Sequence, residues 1–221
     1  MHIEPGIVTG AKIVLSYATA AGAGLYTLKT AVDTIRQQGL VSLVGRALIA
    51  TAAVFVFFQV LPHHPVGVSE VHLILGSTLF LILGAAPAAI GLALGLLAQG
   101  VFFAPFDLPQ YGMNVTTLLV PLFGLQMLAK RLIAPGTAYV DLKYSQALAL
   151  STAYQGGIVL WVTFWAIYGQ GVAEVSQVLT FGAAYMTVIL IEPLLDLAVL
   201  ALAKRAKSLQ GSGFVTPRLY A

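Results

Sequence analysis

The sequence predicts an all-α integral membrane protein, a bundle of seven transmembrane helices with its N-terminus outside and its C-terminus inside. Three observations carry that prediction. The 221 residues are 59% hydrophobic and only 9% charged, where soluble domains carry roughly 25% charged residues. The apolar residues gather into seven segments, and the mean hydropathy is +0.92. The basic residues sit on alternate sides of those segments. A chain of this length reads as one membrane domain, 1–221. It divides into an N-terminal loop over 1–6, the bundle over 7–203 and a cytoplasmic tail over 204–221.

Residues 1–6 contain no lysine or arginine and no short apolar core, so they do not read as a signal peptide, and Met1 is expected to be kept. Segment 1, over 7–28, carries the small pairs Ala18/Gly22 and Ala20/Gly24 four apart. Such pairs let helix backbones approach closely in lipid. This span is therefore expected among other helices, holding the N-terminus over the centre of the bundle. Segment 2 covers 40–61. The apolar stretch 67–104 is too long for one span, since its 38 residues would reach ~57 Å as a helix. Gly84-Ala85-Ala86-Pro87 supplies a turn that splits it into 67–84 and 87–104. The first of these starts polar, with Glu70 and His72. Segments 115–133, 145–168 and 175–203 complete the seven.

Orientation follows from lysine and arginine. Lys29, Arg36 and Arg46 flank the first loop; Lys130, Arg131 and Lys143 flank the loop before segment 6; Lys204, Arg205, Lys207 and Arg218 follow segment 7. The loops at 62–70, 105–114 and 169–174 hold no basic residue. Seven spans with an outside N-terminus place every basic residue but Lys12 inside, and Lys12 is near enough to the outer end to snorkel. The same topology puts His2, His63, His64 and His72 outside.

Much chemistry is excluded. There is no cysteine, hence no thiolate site. There is no Gly-Lys dipeptide, hence no phosphate loop for ATP. The net charge of +3, without a basic block, does not suggest nucleic acid. No nucleophile–base pair stands out, so the chain is not expected to be an enzyme.

Met1-His2 is the sharpest signal. A free α-amine, the His2 amide and the His2 ring Nδ1 can close two fused chelate rings on one metal ion. One further histidine completes a tetragonal all-nitrogen site, a geometry that suits Ni(II) and Cu(II). Against this stands the bland reading, a start codon followed by an arbitrary residue. His72, with Ser69 and Glu70, opens segment 3, where an ionisable residue is a functional candidate but can also cap and anchor a helix. His63 and His64, in Pro62-His63-His64-Pro65, are either metal collectors or solvated turn residues. Asn114 opens segment 5 and can cap it or steady the N-terminal loop. Glu192 and Asp196 lie four apart, on one face of segment 7. They either fix helix packing or respond to a partner subunit.

The opening Met1-His2-Ile3-x-x-Gly6, the Gly67-x-Ser69-x-x-His72-Leu73-x-x-Gly76 run and Gly112-Met113-Asn114 together resemble the CbiM/NikM family. These are substrate-binding membrane components of energy-coupling factor transporters for cobalt and nickel, and the resemblance runs from residue 1 to about 203. It implies metal ligation by the Met1 amine, the amide and ring of His2, and His72. It makes Ser69, Glu70 and Asn114 candidates for supporting the site, and Glu192 and Asp196 candidates for coupling. It also implies Co2+ or Ni2+ as transported substrate with no resident cofactor. The implied partners are a transmembrane coupling subunit, cytoplasmic ATP-binding subunits and a small auxiliary membrane subunit. The chain departs from the family pattern at Glu4-Pro5, Ser69-Glu70-Val71 and Ile191-Glu192-Pro193. The expected function is metal capture for an ATP-driven importer in the plasma membrane. The alternatives are a stand-alone secondary permease for a divalent metal and a membrane scaffold without substrate.

Overall fold

The computed structural model describes residues 3–220. Seven α-helices appear in the seven predicted places: α1 Ile13–Gln38, α2 Leu40–Gln59, α3 Gly76–Leu83, α4 Ala85–Phe102, α5 Tyr111–Leu132, α6 Tyr144–Gln170 and α7 Val175–Arg205. A two-stranded antiparallel hairpin, β1 His64–Val66 and β2 Ser69–Val71, precedes α3. Its two-residue turn begins at Gly67, whose φ of 61° a side chain would resist. Among the described residues, five helical stretches are both long and apolar enough to cross a membrane, including α2, α4 and α5 to α7.

The third segment departs most from expectation. A span over 67–84 was expected, but only the eight residues Gly76–Leu83 are helical. Eight residues rise ~12 Å, well short of a hydrocarbon core about 30 Å thick. The rest of the segment is the second hairpin strand and a non-helical stretch from His72 to Leu75. Yet this short helix is the axis of the fold. It contacts α2, α4, α5, α6 and α7, and Gly76, Ser77, Leu79, Phe80, Leu81 and Leu83 are all buried.

Segment 1 also differs. Its helix begins at Ile13 and runs to Gln38, because Thr30, Asp33, Arg36 and their neighbours continue it beyond the apolar run. It lies at the edge of the bundle, against α2, α4 and α5. Gly22 and Gly24 face open space, so the small pairs do not bring it to the centre. The close approach of small residues is instead between α2 and α4, where Gly91 and Gly95 meet Ala50 and Val54.

The residues after α7 are not a free tail. They fold back across one end of the bundle: Leu219 is fully buried. The Thr216 N–H donates to Ile82 O at 2.8 Å. The Tyr220 hydroxyl donates to Ala203 O at 2.7 Å, and Ser42 Oγ to Gly213 O at 2.7 Å. This tail end of the bundle lies opposite the hairpin end.

Candidate metal centre

Met1 and His2, two of the expected ligands, lie outside the described residues. The chain from Ile3 onward is firmly held. Ile3 is fully buried and forms an antiparallel bridge with Ser69, extending the hairpin by a third edge. The Glu4 N–H donates to Val68 O at 3.1 Å. The Ile3 N–H turns the other way and donates to Asn114 Oδ1 at 2.9 Å. Asn114 therefore caps nothing. Helix α5 begins three residues earlier, after a 3-10 turn over Pro105–Gln110, and Asn114 points its amide at the N-terminal segment.

The segment then crosses the end of α6. Gln170 Nε2 donates to Gly6 O at 2.7 Å and to Ile7 O at 3.1 Å. Gly169 is a glycine of necessity, since a Cβ there would sit 1.9 Å from Ile7 O. Lys12, expected to snorkel, donates to Gly169 O at 2.8 Å and lies over the Tyr168 ring. A cation on the last carbonyls of a helix is favourable both as a hydrogen bond and toward the helix dipole.

His72 leaves the end of β2 and is buried at 3% exposure. It caps no helix, which rules out the helix-capping reading of Ser69, Glu70 and His72. Its ring packs edge-on to Phe58, with centroids 4.7 Å apart. Its Nδ1 lies 3.3 Å from Leu73 O. A carbonyl only accepts, so this contact favours the tautomer with the proton on Nδ1, which leaves the Nε2 lone pair for a ligand. Ser69 is fully buried, and Glu70 is half-buried on β2 opposite Pro65. His63 is half-buried with Nδ1 3.1 Å from Leu61 O, while His64 is exposed on β1. Thus the structure brings Ile3, Ser69, His72 and Asn114 to one end of the bundle and leaves His64 on its rim. Among the described residues, no three His, Cys, Asp or Glu side chains cluster as a metal site. The expected ligand set does not need such a cluster, since it draws on an amine and an amide.

Below His72 lies a buried polar group that the sequence only half revealed. Glu192 Oε1 accepts two backbone N–H groups, from Ile74 at 2.5 Å and from Leu75 at 2.9 Å. Its other oxygen accepts from Gln155 Nε2, whose Oε1 accepts the Tyr185 hydroxyl at 2.8 Å. One turn further along α7, Asp196 accepts from the Thr78 hydroxyl. Glu192 and Asp196 are 0% and 1% exposed, so neither side chain is open to contact from a partner subunit. Two carboxyl groups inside an apolar segment were a visible signal. That the principal partner of Glu192 is backbone was not, because backbone groups are present at every position.

The family model CbiM, described as cobalt uptake substrate-specific transmembrane region, matches residues 2–209. Among solved structures, one titled "Crystal Structure of an Truncated Transition metal Transporter" has a similar fold. The TM-score is 0.67, over 93% of this chain and 97% of that one, at 16% sequence identity. At that identity the likeness speaks for the fold alone. No curated protein sequence matches the chain.

Proposed function

The chain belongs to the CbiM family and is the substrate-capture membrane component of an energy-coupling factor importer for a divalent transition metal; from that premise we propose that it takes up Co2+ or Ni2+ through the Met1 amine, the amide and ring of His2, and the His72 ring. It is a multi-pass transport subunit, not an enzyme. Family membership implies a transmembrane coupling subunit and ATP-binding subunits, and a small auxiliary membrane subunit fits the same assembly.

One observation supports the site above the rest. Ile3 is buried, bridged to Ser69 and bonded to Asn114. The residue directly after the chelating pair is thus anchored three residues upstream of His72. One Cα step is ~3.8 Å, so the anchor and the chelate are neighbours. The His72 ring supplies the remaining nitrogen. Ligation by the His2 amide requires loss of its proton, so binding weakens as pH falls. Ser69, Glu70 and Asn114 support this arrangement without ligating. The distribution of basic residues favours seven crossings, with the hairpin end outside and the tail end inside.

The test is an N-terminal extension by one alanine. It turns the α-amine into an amide and should cost most of the Ni2+ affinity, read by titration of the purified protein. Unchanged affinity would refute the amine chelate.

A further inference from the structure

We propose that Glu192 is a positioning residue for metal capture: its carboxyl group holds the backbone of Ile74 and Leu75 in the turn that sets the His72 ring. This rests on the reading of His72 as a ligand.

The chain must change from extended to helical between His72 and Gly76, deep in the bundle. The N–H groups of Ile74 and Leu75 lie just ahead of the helix, which begins at Gly76, and so find no carbonyl partner within it. In a low-dielectric interior each such donor is costly unless something accepts from it. Glu192 Oε1 is that acceptor, taking both N–H groups at 2.5 and 2.9 Å. Successive N–H groups directed at one oxygen form a concave anion site, and here that requires a tight backbone. Leu75 provides it, with φ 54° and ψ 34°, the one positive-φ residue other than glycine among the described residues. A leucine in the left-handed region is disfavoured by sterics. It persists because the carboxyl oxygen rewards the conformation that causes it.

The clamp fixes more than the helix start. Only Leu73 separates His72 from the clamped pair, and the carbonyl of Leu73 is the one that holds His72 Nδ1. If Ile74 and Leu75 move, Leu73 O moves, and with it the direction of Nε2. Glu192 is itself braced, since Gln155 and Tyr185 lock its second oxygen from α6 and α7. It touches no expected ligand, so its effect on the metal passes through the backbone.

Acceptor reach, rather than charge, is the operative property, and two conservative variants separate the two. Glu192→Gln keeps an oxygen at the same reach. The Gln155 amide can flip to accept from the new NH2, with Tyr185 then accepting from Gln155. Glu192→Asp keeps the carboxyl group but withdraws it by one methylene, ~1.5 Å, which stretches both bonds past hydrogen-bond range.

The experiment is Ni2+ titration of the full-length purified protein in detergent, followed by the ligand-field absorption of the bound metal, with thermal unfolding in parallel. Glu192→Gln should bind within about threefold of wild type with the same absorption band. Glu192→Asp and Glu192→Ala should bind at least tenfold more weakly, with a shifted band. The proposal is overturned if Glu192→Asp keeps the affinity and spectrum of wild type, whatever its melting temperature. It is also overturned if Glu192→Gln is as damaged as Glu192→Asp. Should Glu192→Ala not fold, the Gln and Asp pair decides. His72→Ala is the separate control. If it binds Ni2+ as wild type does, the site itself has been misassigned, a different failure from that of the clamp.

Discussion

Replacing Asn114 by alanine removes the acceptor of the Ile3 N–H, a bond of 2.9 Å between residues 111 apart in sequence. If this bond forms alike with and without metal, it adds nothing to wild-type binding directly. The variant changes that. Its metal-free state can relieve the unpaired N–H by letting the N-terminal segment leave the bundle and meet water. Its metal-bound state cannot, because the chelate must remain beside His72. The cost of a buried unpaired donor, about 1–3 kcal/mol, therefore appears in the affinity, as a loss of about 5- to 150-fold. Ni2+ titration measures it, and chemical labelling of the N-terminal amine reports whether the segment leaves. Asn114→Asp, which keeps an acceptor at the same reach, should lose less. The reasoning fails if Asn114→Ala binds Ni2+ like wild type and labels no faster.

Two further substitutions separate the metal site from the rest of the bundle. Gly169→Ala pushes a Cβ to within 1.9 Å of Ile7 O, so the N-terminal segment must shift and Ni2+ affinity should fall by about tenfold or more, ~1.4 kcal/mol. Gly156→Ala, on the same helix but facing open space, should bind normally and melt no lower, because alanine favours a helix by up to ~1 kcal/mol. Arg46 is buried at the tail end, where it donates to Leu83 O at 2.7 Å and to Gln38. Arg46→Met should lower stability by about 1–3 kcal/mol for each acceptor left unpaired, seen as a lower melting temperature, while Ni2+ affinity stays within about threefold.

Hydropathy and glycine–proline turns were enough to place the seven helices found among the described residues, five of them long and apolar enough to cross a membrane, because burial in lipid imposes one dominant pattern on such helices. They misjudged segment 3. A hydrophobic run reads the same whether it is helical or extended, and Leu73-Ile74-Leu75 is apolar in either form. What decides its form is Glu192, nearly 120 residues away, and no local window holds that information. The small pairs of segment 1 misled for a related reason. Sequence shows that Gly22 and Gly24 permit close packing, not that a partner is present, and their faces point outward. The tail lacks periodicity because backbone bonds and the buried side chain of Leu219 hold it down. At the site, His72 and Asn114 were legible as polar residues where polarity is expensive. The neighbour of His72, Phe58, was not, since a phenylalanine in an apolar helix needs no special explanation.

The break in segment 3 and the docking of the N-terminus are two sides of one constraint. A continuous helix over 67–84 would satisfy its own backbone and offer no edge to a second chain. An extended strand does offer one, and β2 uses it: Ile3 bridges Ser69, and Glu4 donates to Val68 O. Starting the helix only at Gly76 leaves the N–H groups of Ile74 and Leu75 just outside it, and Glu192 accepts from them. The carboxyl group in segment 7 is thus a structural counterpart of the strand that receives the N-terminus. The same logic accounts for Glu4-Pro5, where the chain departs from its family's pattern. Edge pairing is made by backbone and is indifferent to the side chain at position 4. It uses the N–H of Glu4, which donates to Val68 O, and it stops at Pro5, which has none to give. From there Gly6, with φ 93°, turns the chain away toward α6. A proline directly after the last pairing residue ends the strand where the route to Gln170 must begin.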